Sequence, residues 1–241
     1  MELDNQTIVQ ALQVGNIKLQ GQFVNSSNVT FLGNLEYQSA IIPVVYKPIR
    51  GERPLWDFPT GTLAKREVAA YLVSEALHWD LVPPTVFRSV ASFGEGSVQQ
   101  YIDHNAEDHY FNFSQDERQR LRKVVLFDAL INNADRKASH IFHGDDNHIW
   151  LIDHGICFHC DDKLRTVVWD FIGESAPQED LHTLKSLLEG KELYPMIFEK
   201  LLAYLSHDEI NALTKRVIHL VKTGHFPTPS EEYRPYPWPP V

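Results

Sequence analysis

Phe127-Asp128-Ala129-Leu130-Ile131-Asn132-Asn133-Ala134-Asp135-Arg136-Lys137-Ala138-Ser139-His140-Ile141-Phe142, followed shortly by Ile149-Trp150-Leu151-Ile152-Asp153-His154-Gly155-Ile156, is the stretch that decides the fold. An apolar-periodic run that stops at Asn132-Asn133 reads as a helix releasing Asp135 into a polar loop. The apolar segment Ile149 to Ile152 reads as a strand that delivers Asp153 just before Gly155, a residue that permits a sharp turn. Two carboxylates are thus set on two loops at the ends of two regular elements.

Upstream of this stretch, residues 17–23, 29–35 and 41–48 alternate apolar and polar side chains and read as three antiparallel strands. The cluster Asn25-Ser26-Ser27-Asn28 turns between the first two. Residues 63–79 change to helical period, and Pro83-Pro84 closes that element. Strand candidates at 85–88 and 97–102 follow, separated by Gly94-Glu95-Gly96. Ser114, with Glu117 three residues on, signals a capping box that opens a helix running to about Asn132. Downstream, 179–189, 192–205 and 207–223 read as helices. The expected class is α+β, with an N-terminal lobe (1–102) of about five strands and one helix. A mainly helical C-terminal lobe (103–226) carries the functional loops, and a Pro- and aromatic-rich tail (227–241) ends the chain.

Bulk composition is that of an ordinary globular protein: 241 residues, 43% hydrophobic, 22% charged. The net charge of −10 argues against a nucleic-acid surface, which needs an excess of Lys and Arg. No run approaches the ~18 apolar residues of a membrane span. Two cysteines, Cys157 and Cys160, are too few for a disulfide framework, and a cytoplasmic protein without membrane insertion is expected.

Phosphoryl transfer asks a protein mainly to position and to stabilise charge. One carboxylate orients the acceptor hydroxyl and another holds a divalent ion against the phosphates. A kinase catalytic loop sets its Asp five residues before a metal-binding side chain and follows it with an Asp-x-Gly turn. Here His140 stands five residues after Asp135, and Asp153-His154-Gly155 supplies the turn. Lys47 at the end of the third strand and Glu67 in the following helix complete the order strand Lys, helix Glu, loop Asp, strand Asp.

The segments Val45-Tyr46-Lys47-Pro48, Arg66-Glu67-Val68-Ala69-Ala70, Asn132-Asn133-Ala134-Asp135-Arg136-Lys137 and Ile152-Asp153-His154-Gly155 resemble the phosphatidylinositol 3-/4-kinase-like superfamily. Among its members, the bacterial phosphatidylinositol-kinase-related proteins of the Streptomyces type are the most similar, with HipA-type kinases further off. The resemblance spans roughly residues 10–225 and implies a two-lobed, protein-kinase-like fold with ATP in the cleft. It implies that Lys47 touches the ATP phosphates and Glu67 positions it, that Asp135 orients the acceptor hydroxyl, and that Asp153 binds Mg²⁺ or Mn²⁺. It further implies that Gln100, Tyr101 and Ile102 form the adenine hinge. Ser26 and Ser27 stand where the phosphate-covering turn lies, although no Gly-rich loop is present. Relatives phosphorylate proteins or lipids, so the hydroxyl-bearing acceptor stays open.

His140 occupies a position where kinases usually carry Asn. Three readings are open: a ligand favouring Mn²⁺, a hydrogen-bonding residue beside a single ion on Asp153, or a nucleotide-binding pseudokinase without turnover. A rival function rests on the density of His140, His143, His148, His154, Cys157, His159 and Cys160 within 21 residues, a zinc-type composition whose second tight ligand pair is lacking.

Overall fold

A computed structural model describes residues 3–24, 26–188 and 195–241. The chain opens with a helix, α1 (Asn5–Val14), where only strands were expected. Its signals are short. Asp4 caps it by accepting from the Thr7 N–H at 2.7 Å, and Ile8, Ala11 and Leu12 form one buried stripe. Five strands follow: β1 (Asn16–Gln22), β2 (Phe31–Tyr37), β3 (Ala40–Pro48), β4 (Thr85–Arg88) and β5 (Gly96–Gln100). They make one antiparallel sheet in the order β1-β2-β3-β5-β4.

Alternation along β3 buries Ile42, Val44 and Tyr46 against α1, together with Leu35, Val86 and Val98. Lys47, one residue past Tyr46, therefore points to the other face. Gly96 is required beside it, because a Cβ there would lie 2.3 Å from the Lys47 carbonyl oxygen. Helix α2 (Leu63–Ala76) connects β3 to β4 and buries Arg66 and Glu67 along with its apolar residues.

The expected helix from 114 to 132 is two helices, α3 (Gln115–Gln119) and α4 (Arg122–Ile131). The Ser114–Glu117 capping box is present. Tight bonds from the Arg120 and Leu121 N–H groups to residues three back break the run and turn Leu121 fully into the core. A two-stranded ribbon of β6 (Ile141–His143) and β7 (Ile149–Leu151) follows, then α5 (Gln178–Ser186), α6 (Pro195–Leu201) and α7 (His207–Thr223). The start expected at 192 for the penultimate helix lies outside the described residues. One large apolar cluster joins α2, α4, the ribbon and α5 to α7. No helix among the described residues is long and apolar enough to cross a membrane.

Candidate active site

Lys47 is where three distant parts of the chain meet. Its Nζ donates to Glu67 Oε1 from α2 and to Asp153 Oδ1 at 3.0 Å from the loop after β7. These partners lie 20 and 106 residues away in sequence. Burial opposes charge on Lys47, but Asp153 and Glu67 outweigh it and hold the ammonium above the ordinary lysine range. Lys47 in turn keeps Asp153 ionised, well below the usual carboxylate range. Glu67 is 3% exposed, whereas the Asp153 side chain is 48% exposed and faces the opening. The second Glu67 oxygen accepts the His154 N–H at 2.9 Å, so one buried carboxylate fixes both the lysine and the turn that carries Asp153.

The strain in that turn lies on Asp153 itself, at φ +62°, and not on Gly155 as the sequence reading had it. Gly155 has an ordinary φ, and an added Cβ would meet only van der Waals contacts. Holding a non-glycine residue in this region costs on the order of 1–3 kcal/mol. The bonds to Lys47 and to the His154 amide are what hold it there.

Asp135 is presented differently. Helix α4 ends at Asn132 in the left-handed conformation, and the Asn132 side chain donates to the carbonyls of His159 and Asp161. The Asn133 side chain accepts the Asp135 N–H at 2.9 Å and donates to Asp128. Beneath them Arg136, fully buried, makes a bidentate pair with Asp128 and donates to the carbonyls of His140 and Ile152 and to His154 Nε2. One guanidinium thus ties the Asp135 loop to the Asp153 loop. The Asp135 carboxylate is left facing Lys137 Nζ at 3.4 Å. Burial pushes this carboxyl up to about 6, against the pull of Lys137.

His140 sits between the loops. Burial depresses its pKa to about 4, so the imidazole is neutral at pH 7. Its Nδ1 faces the Lys137 N–H at 3.5 Å, which leaves the proton on Nε2, 3.4 Å from Asp153 Oδ2. Among the described residues no three His, Cys, Asp or Glu side chains group to hold a metal ion.

The His/Cys-rich stretch does not converge either. His143 pairs with Asp108, His148 with the Asp80 carbonyl, and His159 with the Asp57 carbonyl. Cys157 is buried and Cys160 exposed. The zinc reading fails because, among the described residues, these side chains form no group of three ligands, and His143, His148 and His159 are each directed to a local partner.

On the expected adenine hinge, two of three backbone N–H groups are committed inside the protein. The Gln100 N–H donates to the Pro84 carbonyl and the Tyr101 N–H to the Pro43 carbonyl, both at 2.9 Å. The Ile102 carbonyl accepts from His104. Ser26 bonds the Thr30 hydroxyl at 3.0 Å, and its turn is fastened to the segment after β3 through Val29 to Gly51 and Asn28 to Arg53. Among the described residues, Lys47 bonds Glu67 and Asp153 and neither Ser26 nor Ser27.

No family model matches the chain. One relative does: Protein Rv2133c of Mycobacterium tuberculosis is 35% identical over 260 aligned residues, covering 93% of this chain and 92% of that protein. The chain belongs to the same family. Among solved structures, hydra Fam20 with sugar superposes with a TM-score of 0.59 at 16% identity, over 91% of this chain and 87% of that one. The Golgi casein kinase with Mn/ADP bound gives 0.58 at 16%, over 90% and 74%. A Helicobacter pylori proinflammatory kinase, CtkA, gives 0.52 at 12%, over 89% and 94%. At such identities the likeness establishes the fold, which is kinase-like.

Several members of this site escaped the sequence reading. Asp128 and Arg136 were visible only as an acid inside an apolar helix and a base eight residues later. Lys137 sits two residues past Asp135. The tail was the hardest to foresee. Its Pro240 carbonyl accepts the Ala138 N–H at 2.8 Å and its Pro235 carbonyl accepts the Thr166 N–H at 3.1 Å, so it packs across the loop that carries Asp135.

Proposed function

We propose that this protein is an ATP-dependent phosphotransferase that passes the γ-phosphate to a hydroxyl acceptor. The observation carrying this reading is Lys47 bonded at once to Glu67 and Asp153, with Asp135 on the adjoining loop. A lysine so paired is charged and fixed, and it presents a cation to the α/β-phosphates without reorganisation. Asp135, with its carboxyl raised to about 6, accepts the acceptor proton near neutral pH and orients the oxygen for in-line attack. Lys137 stands beside it to meet the charge of the transferring group.

A divalent ion fits the residues present. Mg²⁺ binds through one or two carboxylates plus substrate phosphates, and Asp153 is ionised and half-exposed. Asp153 would hold the ion, which would neutralise phosphate charge when bound; His140 would orient Asp153 through its Nε2–H. The phosphatidylinositol-kinase resemblance is a statement of descent in this reading. Protein, lipid and small-molecule hydroxyls all suit a half-exposed Asp153 beside a partly buried Asp135.

Transfer of labelled γ-phosphate, with Mg²⁺ and separately Mn²⁺, tests it. Wild type transfers label to itself or to an added acceptor, and Asp135→Ala loses about 10²–10⁴-fold while still binding nucleotide. Asp153→Ala loses transfer and the metal dependence of nucleotide binding. Nucleotide binding with no transfer under either metal would overturn the catalytic reading and leave a pseudokinase.

A further inference from the structure

Residues 233–240 lie across two loops that are joined beside Asp135. The Arg136 N–H donates to the Arg165 carbonyl at 3.0 Å and the Val167 N–H to the Arg136 carbonyl at 3.1 Å, so Arg136 and Thr166 form a parallel bridge. Two further N–H groups of these loops have acceptors on the tail: Thr166 on the Pro235 carbonyl and Ala138 on the Pro240 carbonyl. Both residues are fully buried. Ala138 follows Asp135 by three positions, and the Asp135 side chain is 27% exposed.

Burial alternates along the segment. Pro237 is buried and Tyr233 and Pro235 are half-buried, whereas Arg234, Tyr236 and Trp238 are exposed. A period of two is that of an extended chain with one edge against the protein. Four of the six residues from Pro235 to Pro240 are proline, which offers a carbonyl but no N–H. That suits a surface whose need is acceptors for two N–H groups. The Arg165 guanidinium over the Tyr233 ring, and Asp162 on the Tyr233 hydroxyl, fix where the segment enters.

We propose that the acceptor of this site is an extended, proline-rich polypeptide that brings its hydroxyl to Asp135 along this track, and that residues 233–240 occupy the track in its place. The segment shows the chemistry the track takes: carbonyls five residues apart on Thr166 and Ala138, and prolines inward at alternate positions. A lipid head group or a sugar offers no such spaced carbonyls, whereas a polyproline chain is preformed and loses little entropy on docking. The acceptor hydroxyl gives its proton to Asp135 while its oxygen bonds the γ-phosphorus of ATP. The bond from that phosphorus to the β–γ bridging oxygen breaks, its electron pair leaving on ADP. The acceptor role rests on the phosphotransfer reading; the track does not.

The test uses a fluorescent peptide copying residues 233–240 and ending in an added serine, with full-chain wild type and Pro237→Asp. The aspartate puts a charge in the buried seat and lifts the segment. Wild type binds the peptide with a Kd above about 1 mM, because its own tail competes at millimolar effective concentration. Pro237→Asp binds about tenfold more tightly, and a peptide with alanine for every proline about tenfold more weakly. Exchange at the Ala138 and Thr166 amides is fast in Pro237→Asp and slows when peptide is added. Label from γ-phosphate-labelled ATP reaches the added serine, about tenfold faster in Pro237→Asp than in wild type. Pro237→Gly, which adds no charge, gives the same directions and serves if the aspartate prevents folding. Equal peptide affinity in wild type and the variants, or bound peptide that leaves both amides exchanging fast, overturns the track. Label that reaches the protein itself or phosphatidylinositol vesicles but never the bound peptide overturns the acceptor role alone. Peptide binding as described with no label transferred anywhere overturns the phosphotransfer reading, and the acceptor role with it.

Discussion

The two carboxylates of the site are built by opposite means. Asp153 is held by charge: Lys47 grips it from β3, Glu67 grips the lysine from α2, and the strained backbone at Asp153 relies on both. Asp135 is held by scaffolding: a left-handed helix end, two asparagines, and the buried Asp128–Arg136 pair underneath, none of which neutralises its own carboxylate. The outcome is a pair of like groups pushed apart in acidity, one kept ionised beside a cation and one raised by burial. A metal-facing carboxylate profits from the first arrangement and a proton acceptor from the second. Arg136 keeps the two in register, because it bonds the backbone of both loops.

If the Asp135 side rests on its scaffold, Asp128→Ala is the most damaging change to it. An unpaired buried guanidinium costs about 3–5 kcal/mol, to be read as a fall in denaturation midpoint, and transfer falls with it. The Asp153 side breaks without unfolding. Lys47→Met lowers transfer by about 10²–10³-fold, and its cost in stability is smaller than that of Asp128→Ala, because the buried Glu67 it strands can take up a proton whereas the Arg136 guanidinium cannot. Equal loss of stability in the two variants would erase the distinction drawn between the two sides.

A smaller effect is expected from the tail. Removing residues 234–241 frees the buried Ala138 and Thr166 N–H groups, at about 1 kcal/mol each. Hydrogen exchange at those two amides rises first, while the Lys47 cluster is unaffected. The smallest effect is on pH. Transfer falls about tenfold per unit below pH 6, because Asp135 acts in its ionised form and its raised pKa places the loss there.

Much of this was legible in the sequence, and the misses share a cause. Strands β1 to β5, α2 and the order of Lys47, Glu67, Asp135 and Asp153 follow from local periodicity and spacing. Helix α1 was hidden because Ile8 and Val9 suit a strand as well as a helix, and only the Asp4 cap discriminates. Asp128 and Arg136 looked unremarkable because their meaning comes from burial, which spacing does not reveal. Gly155 drew the turn to itself in the sequence, whereas tertiary bonds impose the left-handed backbone on Asp153. The tail contacts join residues about 70 to 100 positions apart through backbone atoms, and backbone atoms carry no sequence signal.

Residue-resolved carboxyl titration by NMR, on ¹³C-aspartate protein without nucleotide, tests the opposition of the two carboxylates most directly. Asp135 should titrate near pH 6, and Asp153 should stay ionised through the whole range in which the protein is folded. Lys47→Met should move the Asp153 midpoint upward and leave that of Asp135 nearly in place. Two ordinary midpoints near 4, unmoved by loss of Lys47, would contradict the division of labour between the loops.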